Sequence, residues 1–362
     1  ETLRTGQKET RRFPKRRRAQ GAINVQVPPK RGKRLFLRKE GSMEIYISGS
    51  LAYDRIMTFP GHFADHILPN KIHVLNVCFN INGLVEKFGG TAGNIAYTLN
   101  LLGERPFIVA TAGDDFEHYR RWLEHNGLDG RWIKRIPGVL TAGAYITTDL
   151  NDNQITAFNP GAMAYPADLP PLDDGTQPMI VHIAPGNKED MLGLARRCKA
   201  RGVPFVFDPG QSLNIWSGDE IAEAVDGALC FISNDYELSH FLKLTRWQRS
   251  DLEGRVGMIV TTQGPDGSLL RIDGDKVFIP AVIPPAVVDP TGAGDAYRAG
   301  FLKGLALGQD PPVCCHMGSV AASFAVEHHG TQEHRFHWDA FSDRLERHFG
   351  YRLACQEAAP RS

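Results

Sequence analysis

The second half of the chain alternates short apolar runs with segments of helical period, and this alternation limits the fold more than any other feature. The apolar runs have the length of buried strands, and the segments between them place apolar residues three and four positions apart. In chain order the segments are MIVHIA (179–184), EDMLGLARRCKARG (189–202), PFVFDPG (204–210), GDEIAEAVDG (218–227), LCFISN (229–234), DYELSHFL (235–242) and GMIVTTQG (257–264). Such a pattern predicts an α/β fold in which helices cover both faces of a mostly parallel sheet.

The first half of the chain contains a second pattern. A strand begins after Met43 and breaks at Gly49 and Ser50. The segment 55–88 lacks a helical period, and 141–158 is typical of a hairpin that turns at 151–153. We expect these two segments to form a small β lobe beside the main sheet.

Composition excludes several classes of protein. The 362 residues are 42% hydrophobic and 23% charged, which is ordinary for a soluble globular chain. No apolar run approaches the roughly 18 residues of a membrane span. The six cysteines form no C-x-x-C pair, a usage that fits a reducing cytoplasm better than a disulfide framework or a zinc site.

Charge is distributed unevenly along the chain. Residues 1–42 hold 14 Lys or Arg and three Glu, whereas the remainder holds 27 basic and 38 acidic residues. Composition predicts that 1–42 is a disordered extension outside the domain at 43–350, followed by a tail at 351–362. The extension is either a nucleic-acid arm, a targeting signal, a solvated segment, or upstream sequence ahead of Met43. The acidic body is not typical of a nucleic-acid-binding protein.

The stretch DPTGAGDAYRAGF (289–301) is the most informative single motif. If a helix begins near Gly292, the backbone N–H groups of Gly292, Ala293 and Gly294 form an anion site at its positive end. Asp295 beside such a site is electrostatically unfavourable unless it has a task. Holding a substrate hydroxyl and accepting its proton during phosphoryl transfer is one such task, and stabilising the first turn of the helix is the other.

The P-loop and the dinucleotide fingerprint G-x-G-x-x-G are both missing from the sequence. Instead, five motifs in order resemble the ribokinase-like (PfkB) carbohydrate and nucleoside kinases. They are SGSLAYD (48–54), GGTAGNIAYTLNLLG (89–103), NDYE (234–237), TTQGPDG (261–267) and DPTGAGDAYRAGF (289–301), with a similar strand end in FDPGQSLNIW (207–216). The likeness covers about residues 43–350 and departs from the family pattern at Pro290.

The resemblance implies the roles of individual residues. The catalytic base is Asp295, and the anion hole is formed by Gly292, Ala293 and Gly294. The implied substrate-binding residues are Ser50, Asp54, Gly89, Gly90 and Asn94. The residues implied to lie near ATP and magnesium are Asn234, Glu237, Thr262, Gly264, Gly267 and Gly330. No protein ligand to a metal is assigned directly.

The resemblance further implies ATP and Mg²⁺ as cofactors and a β lid, at 55–88 and 141–158, that closes over the substrate. Many relatives place a lid arginine on the transferred phosphate. The hairpin here has none, so Lys87 or Arg55 is expected to substitute. Some relatives bind K⁺ in loops equivalent to 287–289 and the stretch near Gly330. Relatives are monomers or homodimers, and both states remain open here.

The identity of the alcohol stays open between a nucleoside and a sugar. The segment 65–90 and HHGTQEHRF (328–336) are similar to bacterial chains of the adenosine-kinase-like type, so a nucleoside is the first choice. A fructokinase-type or ribokinase-type sugar kinase is the alternative. Phe79, Ile81 and Leu84 either contact a base or pack the lid against its own strands.

Other candidate residues have simpler interpretations. His328, His329, His334 and His337 lack the spacing of a defined metal site, so a structural turn is favoured over metal binding. Asp114 and Asp115 follow a strand and are expected to cap a helix. Trp122 and Trp132 are expected to pack on the core. Asp208 either orients magnesium through water or supports its loop.

Two functions of other classes make different predictions for this sequence. A ligand-sensing regulator that kept the fold and lost catalysis is disfavoured, because Asp295 is present. A nucleic-acid-binding protein acting through 1–42 would show salt-sensitive binding that disappears when that segment is deleted.

Overall fold

The structure is a computed structural model that describes residues 43–68, 73–74, 76–151, 153–172 and 178–354. The basic segment 1–42 and residues 355–362 lie outside the described residues, so the predicted extension and tail stay predictions. Among the described helices, none combines the length and the hydropathy that crossing a bilayer requires.

Within the residues that the structure describes, the larger of two sheets has nine strands in the order β13-β12-β11-β10-β9-β8-β1-β4-β5. Its strands are β1 (Glu44–Ser48), β4 (Phe107–Ala112), β5 (Ile133–Arg135), β8 (Met179–Ile183), β9 (Phe205–Phe207), β10 (Cys230–Asn234), β11 (Ile259–Thr262), β12 (Ser268–Ile272) and β13 (Asp275–Ile279). The seven strands β5, β4, β1, β8, β9, β10 and β11, which are neighbours in this order, are parallel. At the β11 edge, β12 and β13 are added as antiparallel strands. The predicted α/β fold with a mostly parallel sheet is confirmed.

Helices follow most of the strands, as the alternating pattern predicted. They are α1 (Phe63–His66), α2 (Thr91–Leu101), α3 (Glu117–His125), α4 (Lys188–Arg201), α5 (Gly218–Val225), α6 (Asp235–Thr245), α7 (Arg249–Glu253), α8 (Ala293–Ala306), α9 (Pro311–Ala325) and α10 (Trp338–Phe349). Two of the apolar cores in the described part of the chain are built on these helices. One joins α4 to α7 with the sheet, and the other joins α8, α9 and α10. Burial of apolar area in these cores is the main stabilising contribution to the fold.

A second sheet of four strands has the order β3-β2-β6-β7. Its strands are β2 (Ala52–Thr58), β3 (Asn82–Gly89), β6 (Ala142–Thr148) and β7 (Gln154–Asn159). The sequence predicted one strand that breaks at Gly49 and Ser50, and this break separates β1 in the large sheet from β2 in the small one. The predicted hairpin is the antiparallel pair β6 and β7.

Register divides the side chains of the small sheet between two faces, because successive residues of a strand point to opposite sides. Asp54 pairs with Lys87 and Ala144, and Ala144 pairs with Phe158. Two positions further along β2, Ile56 pairs with Val85 and Ile146. These seven residues form what we call the Asp54 face. The opposite, Arg55 face carries Tyr53, Arg55, Met57, Leu84, Glu86, Phe88, Tyr145 and Ile155.

Candidate active site

The site begins at the amino end of α8. Gly292 is the residue before the helix and has φ +81°, a left-handed conformation that favours glycine. A Cβ there would also lie 3.0 Å from Cγ2 of Thr331. The N–H groups of Gly292 and Gly294 have no hydrogen-bond partner among the described residues, whereas the N–H of Ala293 donates to the Pro290 carbonyl at 3.2 Å. Two of the three predicted donors are therefore open, and the third is engaged in a long bond.

Asp295 occupies the first turn of this helix and is partly buried. The Nδ2 group of Asn94 donates a hydrogen bond to its Oδ2 at 2.8 Å. Burial raises the pKa of Asp295 to about 6, although the Arg298 charge and the Asn94 hydrogen bond lower it. A carboxylate with such a pKa is ionised at neutral pH and is basic enough to accept a proton.

The second carboxylate of the site is that of Asp54 on β2. Its carboxylate packs against Gly89, where a Cβ would collide with it. Burial raises the pKa of Asp54 to about 6, and its charge in turn raises the pKa of Asp295. The structure thus brings together Asp54, Gly89, Asn94 and Asp295, which the sequence places as far apart as 241 positions.

Ser50 and Gly90 have supporting positions. The Ser50 hydroxyl is buried and accepts the Thr91 N–H at 3.0 Å, which satisfies a free donor at the start of α2. Gly90 has φ +90°, and a Cβ there would lie 2.6 Å from the Ser50 carbonyl oxygen. Both residues therefore hold the turn between β3 and α2 in place. The predicted direct contact of Ser50 with substrate stays a prediction.

Asn234 and Glu237 begin α6. The Asn234 side chain accepts the Glu237 N–H at 2.7 Å, and the Glu237 carboxylate accepts the Asn234 N–H at 2.8 Å. This reciprocal pair is a capping box, a local signal for a helix start that the N-x-x-E spacing also carries. Burial raises the pKa of Glu237. Its second oxygen accepts no hydrogen bond from the described residues.

The remaining residues predicted near the nucleotide lie at turns. Thr262 ends β11, and a short 3-10 helix, Gly264–Asp266, follows it. Gly267 has φ +104°, and a Cβ there would overlap the Ile279 carbonyl. Gly330 has φ +90° and donates its N–H to Asp289 at 3.0 Å.

Arg298 was not identified from the sequence. Its guanidinium makes a two-pronged contact with Asp208, in which Nη2 donates to Oδ1 at 2.9 Å and Nε donates to Oδ2. The same group donates to the Gly294 carbonyl at 3.1 Å and lies 3.9 Å from Glu237. Because both oxygens of Asp208 are engaged, the structure favours loop support over magnesium binding for that residue.

The expected helix cap is corrected by the contacts, and the structural interpretation of the histidines is favoured. Asp114 and Asp115 do not cap α3. They accept N–H groups of Gly138 and Thr141, at 2.9 and 2.7 Å. His334 bonds Thr98 at 3.0 Å, burial lowers its pKa to about 4, and the described residues contain no cluster of metal-ligating side chains.

The alternatives left open for Phe79 and Leu84 can be compared with their contacts. Phe79 packs within the small lobe, in an aromatic group with Phe59 and Phe63. Leu84 lies on the Arg55 face, opposite the Asp54 side chain. A contact of either residue with a base is therefore not supported: Phe79 packs within the lobe, and Leu84 is 57% exposed on the face opposite Asp54.

Comparison with known proteins gives consistent results. The family model for pfkB family carbohydrate kinases matches residues 61–337. A nucleoside kinase of Methanocaldococcus jannaschii is 34% identical over 81% of this chain and 97% of its own length. The structure of a Burkholderia thailandensis nucleoside kinase with inosine is 34% identical, with a TM-score of 0.74 over 85% of this chain and 99% of that one. A second structure of that protein, with ADP-inosine, has a TM-score of 0.72 over 87% and 99%, at 34% identity.

Proposed function

The chain belongs to the pfkB family of carbohydrate kinases, as its motifs predicted, and we propose that it transfers the γ-phosphoryl group of ATP to a hydroxyl group of a nucleoside. The observation that carries the proposal is the contact between Asn94 and Asp295 beside the open N–H groups of α8. The two nucleoside kinases at 34% identity support the nucleoside, and the complex with ADP-inosine supports ATP.

The proposed reaction uses two groups of this chain. The oxygen of the nucleoside hydroxyl attacks the γ-phosphorus of ATP, and Asp295 accepts the proton of that hydroxyl. The bond between the γ-phosphorus and the ADP oxygen breaks, and ADP leaves. The N–H groups of Gly292 and Gly294, with the helix dipole, stabilise the charge on the moving phosphoryl group. Since the transition state is loose, positioning and charge matter more than a strong base.

We include magnesium in the proposal because of the carboxylate oxygens of Glu237 at the start of α6. One oxygen of Glu237 is occupied by the Asn234 N–H, and the other is available to a magnesium-bound water. Mg²⁺ is commonly held by one or two carboxylates together with phosphates and water, and it neutralises phosphate charge when bound. Potassium stays a prediction for the loops near Asp289 and Gly330, which the Asp289 carboxylate ties together through the N–H groups of Thr291 and Gly330.

The Asp54 face of the small sheet supports a nucleoside over a simple sugar. Next to Asp54 and Lys87 this face carries the apolar side chains of Ile56, Val85, Ile146 and Phe158, and the polar Thr156 is paired with Ile146. Val85 is 53% and Phe158 is 52% exposed, so the face has large apolar groups to offer a ligand. A nucleobase can cover them, whereas the hydroxyl groups of a sugar would gain nothing there.

Of the two cations considered for the lid, Lys87 is the one we propose for the phosphate. Arg55 lies on the opposite face, where it contacts Glu86, Asp115 and Tyr145. Lys87 shares the face of Asp54 and donates to Glu333 at 2.6 Å. Closure over bound ATP would exchange that carboxylate for phosphate oxygens.

The proposed setting is a reducing cytoplasm, for a monomer or a homodimer. Five cysteines in the described part of the chain are free thiols, four of them buried, which fits a compartment where disulfides do not form.

The test measures ATP consumption by the purified protein with a panel of nucleosides and sugars. We expect phosphorylation of nucleosides, and a loss of about 10²- to 10⁴-fold in Asp295→Asn, the range for removing a general base. Asp339→Asn is a matched control, because Asp339 also lies in the first turn of a helix but outside the site. Turnover of ribose or fructose alone would establish the sugar-kinase alternative. Unchanged turnover in Asp295→Asn would overturn the mechanism.

A further inference from the structure

A chain of hydrogen bonds leads from α3 to the carboxylate of Asp295. The indole Nε1 of Trp122 donates to Oε1 of Gln332 at 2.8 Å. The Nε2 group of Gln332 donates to Oδ1 of Asn94 at 3.0 Å, and Nδ2 of Asn94 donates to Asp295 at 2.8 Å. Gln332 and Asn94 are 2% and 5% exposed, so no water competes for these bonds.

The two ends of this chain determine which way its amide groups point. The oxygen and nitrogen of an amide have nearly the same shape, so hydrogen-bond partners decide their orientation. An indole N–H can only donate, which requires the oxygen of Gln332 to face Trp122. The nitrogen of Gln332 then faces Asn94, and the nitrogen of Asn94 must face Asp295.

A second fixed point agrees with this direction. The Tyr119 hydroxyl donates to the Gly89 carbonyl at 2.8 Å, so its oxygen is free to accept from Gln332 Nε2, which lies 2.6 Å away. A carbonyl can only accept, and it therefore fixes the tyrosine in the same sense. The helix α2 approaches this group at Gly93, where a Cβ would collide with the Tyr119 hydroxyl.

We propose that Trp122 and Gln332 are positioning residues that keep the NH₂ group of Asn94 turned toward Asp295. In the opposite orientation the carbonyl oxygen of Asn94 would face the carboxylate, and two acceptors in contact repel unless one is protonated. Asp295 would then take a proton and could no longer accept one from the substrate. The inference rests on the proposed function, because it concerns the base of that reaction.

Several charged groups act on Asp295 besides this chain. Arg298 of the same helix lowers its pKa, whereas Asp208 after β9 and Asp54 on β2 raise it. Tyr119 also faces the carboxylate, and burial raises the pKa of that phenol. None of these groups is altered by changing Trp122, so a shift in the titration of Asp295 can be assigned to the amide orientation.

The variants are Trp122→Phe and Gln332→Met. The first keeps a smaller aromatic ring beside Phe88, whose ring centroid now lies 5.2 Å from that of the indole, and removes the Nε1 donor together with part of the bicyclic ring. The second keeps the length of the side chain and removes both polar atoms. Trp132→Phe is the matched control, since Trp132 is also half-buried, loses the same part of its ring, and packs on the core of α4 to α7, away from this hydrogen-bond chain.

The experiment measures the pH profile of kcat/KM with inosine and saturating ATP, after thermal unfolding has shown that each variant folds. We expect kcat/KM at neutral pH to fall about fivefold or more, the equivalent of one neutral hydrogen bond. The midpoint of the acid limb should move to higher pH in both variants and stay in place in Trp132→Phe. Combining the two changes should cost little more than either alone, because both break one chain.

A fall in activity with an unmoved midpoint would overturn the inference, since it would show a packing role only. Multiplicative effects in the double variant would overturn it as well. Either folded variant suffices for the titration, should the other unfold. If the unaltered protein phosphorylates no nucleoside, the proposed function fails first, and the two failures are thereby distinguished.

Discussion

The buried ion pair between Arg298 and Asp208 allows a prediction with a definite magnitude. The side chains are 8% and 2% exposed, and their contact is two-pronged. Removing one partner of such a pair typically costs about 3–5 kcal/mol, because the other charge stays buried without compensation. We expect Arg298→Leu to lower the free energy of unfolding at pH 8 by that amount.

The decrease in the free energy of unfolding in Arg298→Leu should depend on pH, because it depends on whether Asp208 is ionised. In the native protein Asp208 is buried, and the Arg298 and His182 partners hold its pKa below the ordinary value. Without the guanidinium, burial would raise that pKa above the value in the unfolded chain. The penalty is then present at high pH and fades as the pH falls through the raised pKa, where the carboxyl takes a proton.

Urea unfolding followed by circular dichroism at pH 8, 7 and 5 measures both effects. Arg196→Leu is the control, because Arg196 also makes a two-pronged contact with a carboxylate, Glu223, but both side chains are exposed. Its loss should be much smaller and nearly independent of pH. Equal losses in the two variants, or a pH-independent loss in Arg298→Leu, would refute the argument from burial.

Two further predictions concern catalysis. Burial raises the pKa of Asp295 to about 6, so less of this carboxylate is ionised below that pH. We therefore expect kcat/KM for the nucleoside to fall as the pH drops from 7 to 5. A flat pH profile would contradict the role of Asp295 as the catalytic base. Phe158→Ala on the Asp54 face should raise KM for nucleosides about tenfold, the equivalent of roughly 1.4 kcal/mol of lost apolar contact. Ile155→Ala on the Arg55 face is the control and should leave KM unchanged. Equal effects of the two variants on KM would exclude a contact between the Asp54 face and the nucleobase.

The fold was largely predictable from the sequence because its signals are local. Alternating strand and helix patterns need only neighbouring residues, and they predicted the parallel sheet and the hairpin. The glycines around Asp295 predicted a helix start with open N–H groups for the same reason. At Ala293 the prediction is incomplete, because the Pro290 carbonyl takes up one donor.

The roles of single side chains were less predictable. Ser50 lies in a family motif, yet its hydroxyl supports the backbone of Thr91. Asp114 and Asp115 have the composition of a helix cap, but their carboxylates bind a loop more than 20 residues away. Leu84 is exposed and apolar, and only the strand register shows that it points away from Asp54.

By itself, the sequence of this protein determined the class of fold, the order of its elements and the helix start with open N–H groups at α8, because each depends on residues close together in the chain. The tertiary structure alone decided which side chains of the small sheet share a face with Asp54. It also decided which way the amide group of Asn94 points. Those choices depend on hydrogen bonds and strand pairs between residues up to 238 positions apart, as for Asn94 and Gln332. No local pattern encodes such contacts, since they form only when separate elements pack together.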